Sequence, residues 1–322
     1  MKRLLVTGAG GFLGQHLCRL AAEAGWDVTG LDVRFPEGFA HRAIRASVTN
    51  GRDVAKAMEG ATAVIHAAAV TALSADNRPG WFEVNLVGTE KVAAAARAAC
   101  ARMLFVSSYT TLVGGPRGQR QTLDETVELP PNLLMGGYPA YKRLAEQAVA
   151  AEVARGLDAV IVLPSSPVGP GDRTPTAPMR LMRDLVQGRL PAILETRMNL
   201  VDVEALARGV LAALERGATG RRYLLCGEDA WLSEIAAEVA RLAGVRPPAR
   251  QVPYRLAYLA GLFSEWGAWL SGRPAGAPLT GVRLAARPVD FSSARARTEL
   301  GFDPPGWRET VARAVAAVQA EG

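Results

Sequence analysis

Short apolar runs alternate with stretches of helical periodicity through the first half of the chain. Such short runs are typical of buried strands. Helical periodicity is clearest over Trp81–Cys100 and Tyr138–Arg155. Such alternation predicts an α/β fold, a doubly wound parallel sheet with helices on both faces. The candidate strands are Lys2–Thr7, Asp27–Asp32, Ala63–Ala68, Arg102–Ser107 and Asp158–Leu163.

The pattern changes after Pro164. Pro164–Pro178 is rich in Pro, Gly, Ser and Thr and is predicted to be a long loop. Further on, apolar spacing predicts a smaller, mostly helical region, so we expect a dinucleotide-binding domain over residues 1–164 and a substrate-binding region over 165–322. Segments within about 199–226 are expected to return to the sheet. The predicted elements are Asn199–Glu215, Arg222–Cys226, Trp231–Ala243, Val252–Leu270 and Arg308–Ala320.

Composition excludes several classes of protein. The chain has 322 residues, 49% hydrophobic, with a net charge of +6. Its arginines are scattered instead of clustered with aromatics, which argues against a nucleic-acid interface. Three separated cysteines without a CxxC pair indicate neither a disulfide framework nor a zinc or other metal site, and favour a reducing cytoplasm. No apolar run approaches the ~20 residues of a membrane span.

A glycine-rich turn follows the first predicted strand. Gly8, Gly11 and Gly14 are spaced as GxxGxxG, not as the stricter GxGxxG, and open an apolar helical pattern. Such a turn lets backbone N–H groups approach a pyrophosphate at the start of a helix. Asp32 ends the second predicted strand, where a carboxylate can accept both hydroxyls of an adenosine ribose. Together these features predict a dinucleotide site.

Tyr138 and Lys142 are four residues apart and therefore share one face of a predicted helix. We expect the lysine ammonium to lower the pKa of the Tyr138 hydroxyl towards neutrality, as suits proton transfer to or from a substrate oxygen. Tyr141 points elsewhere. Ser108 emerges at the end of the preceding strand, where its hydroxyl can orient a carbonyl, and Thr110 is a further candidate for substrate contact.

The ordered set of these motifs resembles the extended short-chain dehydrogenases/reductases, the NAD-dependent epimerase/dehydratase superfamily. Within it the chain most resembles the branch of 3β-hydroxysteroid dehydrogenases, dihydroflavonol reductases and hopanoid-associated epimerase-like proteins. The resemblance covers nearly the whole chain. It rests on Thr7–Gly14, Asp32, His66–Ala69, Asn85–Thr89, Ser107–Ser108, Tyr138–Lys142, Leu163–Asp172, Asn199–Gly209 and Ser292–Phe302.

The resemblance implies roles for individual residues. Tyr138 would be the general acid/base, with Lys142 lowering its pKa and binding the nicotinamide ribose, and Ser108 polarising the substrate oxygen. Thr110 and Ser166 are the candidate substrate contacts. It further implies a homodimer that pairs the helices at Trp81–Cys100 and Tyr138–Arg155. The cofactor-binding set would comprise Gly8, Gly11, Phe12, Leu13, Asp32, Ala67, Ala69, Tyr138, Lys142 and Pro164.

Some positions depart from the pattern of the sugar-nucleotide enzymes in that superfamily. Ser166 stands where epimerases usually carry Asn, Asp202 replaces a common His, and Ser47 replaces an acidic residue that touches adenine. Asp32 would repel a 2′-phosphate, which favours NAD over NADP, although Arg34 could fold back towards such a phosphate.

Three functions remain open from the sequence. Apolar and aromatic residues over Tyr254–Leu270, expected to cover the substrate pocket, favour an NAD-dependent oxidoreductase that interconverts a hydrophobic secondary alcohol and a ketone. The alternative is a nucleotide-sugar epimerase that retains its NAD. A non-catalytic dinucleotide sensor is disfavoured by the presence of the Tyr138–Lys142 pair.

Overall fold

Seven parallel strands form the central sheet. The computed structural model describes residues 2–71, 78–114, 121–271, 279–287 and 289–321, without the side chains of Arg78 and residues 265–271. The strands are β1 (Arg3–Thr7), β2 (Asp27–Asp32), β3 (Arg42–Arg45), β4 (Ala63–His66), β5 (Arg102–Val106), β7 (Ala159–Pro164) and β11 (Arg222–Leu225). Their order in the sheet is β11-β7-β5-β4-β1-β2-β3, and all six pairings are parallel.

Helices cover both faces of this sheet, because alternate strand residues point to opposite sides. Leu4 and Val6 pack with Leu17 of α1 (Phe12–Glu23) and Leu206 of α7 (Val203–Arg216). Leu5 packs instead in the opposite cluster, which contains residues of α2 (Gly51–Met58), α4 (Thr89–Ala98) and α5 (Gly137–Ala154). The predicted doubly wound α/β class is therefore confirmed.

Among the described residues, the remaining strands form three smaller sheets. β8 (Ser166–Val168), β10 (Arg197–Asp202) and β12 (Asp229–Trp231) form one sheet. β9 (Ala192–Ile193) pairs with β13 (Arg250–Gln251), and β6 (Gln121–Leu123) pairs with β14 (Val289–Phe291). The helices are a short turn α3 (Arg78–Gly80), then α6 (Ala177–Val186), α8 (Leu232–Ala243), α9 (Tyr254–Ser271), α10 (Leu279–Ala285), α11 (Ala294–Leu300) and α12 (Trp307–Ala320).

Four local predictions need correction. β3 was not predicted, because its sequence RAIR is short, charged and at the edge of the sheet. The predicted loop Pro164–Pro178 contains the last residue of β7 and all of β8. Pro164 ends β7, and Pro167 lies in β8 at the edge of its sheet, where a strand tolerates proline. The predicted helix Trp81–Cys100 begins as a π-helix over Trp81–Gly88. Of the segments expected to return to the central sheet, β11 does so, whereas β10 pairs with β8 and β12 in the three-stranded sheet.

Within the ranges that the structure describes, no helix is long and apolar enough to cross a membrane. The same ranges contain no group of three or more His, Cys, Asp or Glu side chains placed to hold a metal ion. The cysteines are free, with Cys18 and Cys226 buried and Cys100 exposed.

A chain of buried hydrogen bonds connects β1 and β4 to α4 through His66. The Thr89 hydroxyl donates to the Asn85 carbonyl oxygen at 2.7 Å, so it accepts from Nε2 of His66 at 2.9 Å. Burial lowers the pKa of His66 to about 3, with Lys142 adding to the effect, so the imidazole is neutral. With the proton on Nε2, Nδ1 accepts from the Thr7 hydroxyl at 2.6 Å, and Thr7 Oγ1 accepts from the Ala68 amide.

We expect this histidine to make the fold sensitive to acid. The unfolded chain takes up a proton at His66 below a pH of about 6.5, whereas the folded chain resists protonation down to about 3, so stability is lost as the pH falls through this window. His66→Gln should lower the free energy of unfolding at about pH 7 by about 1–3 kcal/mol. At about pH 4.5 the difference in unfolding free energy between wild type and His66→Gln should be about 2–3 kcal/mol smaller, because only the wild type loses stability through protonation of His66.

Urea unfolding of both proteins at the two pH values measures the gap. Val64→Ala, a cavity in the same buried strand without a titratable group, is the control and should keep the wild-type pH dependence. An unchanged gap in His66→Gln would contradict the assigned protonation state.

Candidate active site

The carboxyl ends of the parallel strands bring the predicted site residues to one edge of the sheet. β1 lies between β2 and β4, so the chain leaves β1 in one direction and later returns on its other side. Ligands bind at such a switch point in open α/β sheets, outside the carboxyl ends of the strands. The turn after β1, the end of β2, the residues after β4 and those after β5 all lie there.

The glycine turn leaves room for a ligand at the start of α1. A Cβ at Gly14 would lie 2.0 Å from the Gly8 carbonyl oxygen, so this glycine is required by the packing of the turn itself. A Cβ at Gly11 would meet only that same oxygen, at 3.2 Å, so the space in front of Gly11 is open. Phe12 and Leu13 begin α1, which has neither a side-chain cap nor an acidic residue in its first turn. The positive end of this helix therefore suits an anion.

The Asp32 carboxylate is fixed by two backbone amides. Oδ2 accepts from the Gly10 amide at 3.0 Å, and Oδ1 accepts from the Arg34 amide at 3.2 Å. Gly10 was not among the predicted site residues. The pair of adjacent glycines within the motif was the available signal, since a Cβ at Gly10 would lie 2.0 Å from the Arg34 carbonyl oxygen.

A cavity of about 350 Å³ extends from the glycine turn past Asp32. Backbone N–H groups, open space at a glycine, a carboxylate and small side chains make a cradle that fits an adenine dinucleotide. Its walls include Gly8, Gly10, Gly11, Asp32, Arg34, Ser47, Ala67, Ala68, Ala69 and Val84.

Two glycines position Tyr138 at the start of α5. Gly136 caps the helix with a φ of +109°, a conformation that L side chains rarely adopt. A Cβ at Gly137 would lie 2.3 Å from the Trp81 ring, so this residue lets the helix begin against Trp81. As a result, the Tyr138 side chain is buried close to the end of β5.

The Tyr138 hydroxyl belongs to a short chain of hydroxyl groups. Thr110 donates its hydroxyl to Ser108 Oγ at 2.9 Å, and the Ser108 side chain lies near the Tyr138 hydroxyl. Burial raises the pKa of Tyr138 to about 12, and the neighbouring Ser108 hydroxyl opposes this rise. The expected lowering of the Tyr138 pKa towards neutrality is therefore wrong for this structure, because desolvation of the phenolate dominates.

Lys142 lies one turn after Tyr138 and is almost fully buried. Its ammonium donates to the Val106 carbonyl oxygen at 2.7 Å and lies 4.6 Å from the centre of the Phe105 ring. Burial lowers the pKa of Lys142 to about 7, while the Glu146 carboxylate raises it. Lys142 thus titrates in the physiological range, in contrast to an exposed lysine.

The other predicted residues lie around this centre. Pro164 ends β7 and is buried. The Ser166 hydroxyl lies 3.4 Å from the hydroxyl of Tyr109, a partly buried tyrosine near Tyr138 that sequence analysis did not select. The position of Tyr109 directly after Ser108 was the available sequence signal. The hydroxyl of Thr110 is directed at Ser108, so its substrate contact stays a prediction.

Glu146 is a further residue that sequence analysis missed. Its side chain is 1% exposed. Oε1 accepts from the Ser107 hydroxyl at 2.5 Å and from the Thr111 hydroxyl at 2.9 Å. Oε2 pairs with Arg143 at 2.9 Å and Arg222 at 3.2 Å. This carboxylate therefore fixes Ser107 and Thr111, which lie on either side of Ser108 in the chain. The sequence signal for Glu146 was its spacing of four residues from Lys142.

The expected apolar cover over Tyr254–Leu270 needs a correction as well. Tyr254 and Tyr258 line a cavity of about 420 Å³ together with Leu134, Met135, Arg283 and Arg287. The bulky residues Leu256, Leu259, Leu262 and Phe263 face outward instead. Side chains 265–270, which include the two tryptophans of this stretch, lie outside the described residues.

Comparison with known proteins agrees with this geometry. The sequence matches the NAD dependent epimerase/dehydratase family over residues 4–226. It is 32% identical to a putative dihydroflavonol 4-reductase of Synechocystis sp., covering 98% of this chain and 94% of the relative. It is 29% identical to sterol demethylase protein B of Methylococcus capsulatus, covering 99% and 98%.

Among solved structures, the crystal structure of gox2253 matches with a TM-score of 0.86 at 31% identity, covering 100% of this chain and 99% of that one. The chain therefore belongs to the NAD dependent epimerase/dehydratase family, in the extended branch of the short-chain dehydrogenases/reductases.

Proposed function

We propose that this protein is an NAD-dependent oxidoreductase that interconverts a secondary alcohol and a ketone. The observation that carries the proposal is the buried Tyr138 hydroxyl beside Ser108, with the buried ammonium of Lys142 one turn along the same helix. NAD, when bound, supplies the acceptor or donor of the hydride. In reduction Tyr138 gives its proton to the substrate oxygen, and in oxidation it takes that proton back.

Burial suits Tyr138 to this exchange. Because its pKa is raised to about 12, the hydroxyl keeps its proton at neutral pH and acts as a general acid. Thr110 donates to Ser108, which leaves the proton of Ser108 for Tyr138 or for a substrate oxygen. Lys142 would bind the nicotinamide ribose and, while protonated, favours the anionic form of Tyr138.

The cofactor proposal rests on Asp32. Its carboxylate would accept the ribose hydroxyls and repel a 2′-phosphate, which favours NAD over NADP. Phe12 and Leu13 would present their amides to the pyrophosphate, and Ala67 and Ala69 would flank the adenosine.

The substrate is proposed to be hydrophobic. Leu134, Met135, Tyr254 and Tyr258 give the neighbouring cavity apolar and aromatic walls. The relative named sterol demethylase protein B is consistent with an apolar substrate.

A nucleotide-sugar epimerase with retained NAD is the second candidate. The observation that favours it is the pair Arg283 and Arg287, which line the same cavity and suit the phosphates of a nucleotide.

Two further properties are proposed with the function. Three free cysteines suit a reducing compartment such as the cytoplasm. A homodimer would pair the helices at residues 81–98 and 137–154, where Phe82 is partly exposed next to Tyr141. Light scattering of the purified protein tests that assembly.

Tyr138→Phe should reduce turnover about 10²–10⁴-fold, because it removes the proton donor and leaves the ring in place. The assay follows reduced nicotinamide absorbance with a panel of apolar secondary alcohols and ketones. Tyr141→Phe, on the same helix, is the matched control and should keep its activity. Full activity in Tyr138→Phe contradicts the mechanism, and NAD that stays bound without turnover favours the epimerase.

Asp32→Asn should weaken the use of NAD by about tenfold or more and shift preference towards NADP, because the charge that repels a 2′-phosphate is lost. Steady-state KM values for both cofactors measure the shift. Asp27→Asn, at the exposed start of β2, is the control. An unchanged ratio of the two KM values would show that Asp32 does not discriminate.

Glu146→Gln should move the pH profile of kcat/KM. The carboxylate raises the pKa of Lys142, so its loss lowers that pKa, and the limb near a pH of about 7 should move to lower pH. Glu152→Gln is the control, because this glutamate is buried on the same helix but pairs with Arg97 and Arg155. A profile that moves equally in both variants would leave Glu146 with a structural role only.

A further inference from the structure

The outward face of α9 is apolar over residues 254–264. Leu256, Leu259, Leu262 and Phe263 are 58%, 48%, 41% and 66% exposed, and their spacing places them on one side of the helix. Gly261 is buried on the opposite side. A surface helix normally shows the reverse pattern, with its large apolar side chains directed inward.

Positive charge flanks this face. Arg246, Arg250 and Arg255 are exposed, and residues 246–264 contain no Asp or Glu. α10 packs against α9 and adds an exposed Arg283, again with no acidic residue between 279 and 287. Glu195, which accepts a hydrogen bond from Gln251, and Glu265 in the next turn of α9 are the acidic residues near these arginines, so the arginines outnumber them. Exposed apolar side chains beside a mainly basic surface match the interface of an anionic bilayer.

We propose that the outward face of α9 docks on the surface of an anionic lipid bilayer. Leu256, Leu259, Leu262 and Phe263 enter the boundary between head groups and acyl chains, and the arginines contact the head groups. A second copy of this chain fits less well, since a two-fold contact through this face would bring Arg255 and its neighbours against the same positive residues.

The opposite side of the same helix lines a cavity. Tyr254 and Tyr258 line the cavity of about 420 Å³ with Met135, which precedes Tyr138 by three residues. α9 would then separate the bilayer from that cavity and give an apolar substrate a short path between them. This step rests on the proposed function, whereas the docking itself does not.

Flotation of the purified full chain with vesicles tests the docking. Wild type should bind vesicles of phosphatidylcholine mixed with phosphatidylglycerol, bind phosphatidylcholine alone more weakly, and lose binding as salt is added. Leu259→Glu combined with Phe263→Glu should abolish binding. Arg250→Gln combined with Arg255→Gln should weaken binding to the mixed vesicles about 30-fold.

The control variant is Ala316→Glu combined with Gln319→Glu, which adds the same two negative charges at exposed positions of α12 and should bind as wild type does. Absence of wild-type binding at low salt, or equal loss in the control, overturns the proposal. Light scattering that shows a dimer lost only in Leu259→Glu/Phe263→Glu also overturns it, in favour of a second copy.

Turnover of a water-soluble ketone separates this proposal from the proposed function. Turnover without vesicle binding contradicts the docking alone. Vesicle binding without turnover contradicts the oxidoreductase alone and leaves the docking supported.

Discussion

The parallel pairing of β1 with both β2 and β4 is the constraint on which the site depends. Parallel strands end at the same edge, so residues from distant parts of the chain meet there without any long-range motif. The glycine turn, Asp32, the residues after His66 and the Ser108 hydroxyl each follow a different strand. The two apolar clusters on the faces of the sheet hold that edge in register.

Burial determines the ionisation of the groups at this edge. Desolvation raises the pKa of Tyr138 and lowers the pKa of Lys142 and of His66, so each group is driven towards its neutral form. Specific neighbours oppose this tendency, Ser108 for the tyrosine and Glu146 for the lysine. The pKa values at the site therefore depend on Ser108 and Glu146 as well as on the Tyr138–Lys142 pair.

Sequence patterns predicted the fold and the location of the candidate site, because strand and helix periodicities and the glycine turn are local signals. Glu146 was missed because its importance depends on burial, and Tyr109 because its contacts with Ser166 and Phe291 join parts of the chain that are far apart in sequence. The predicted direction of the Tyr138 pKa shift was wrong because it, too, depends on burial. Periodicity over α9 predicted a helix, but it does not tell which side of an apolar helix faces outward.

The two amides on Asp32 have a consequence for recognition. A carboxylate offers about four lone-pair positions, and the Gly10 and Arg34 amides occupy one on each oxygen. One acceptor position per oxygen remains, in a side chain that can no longer rotate freely. A vicinal diol with its two hydroxyls at matching spacing would meet a preorganised acceptor pair, so little conformational entropy is lost on its arrival. The rigidity that folding gives to Asp32 thus becomes selectivity for the shape of a diol.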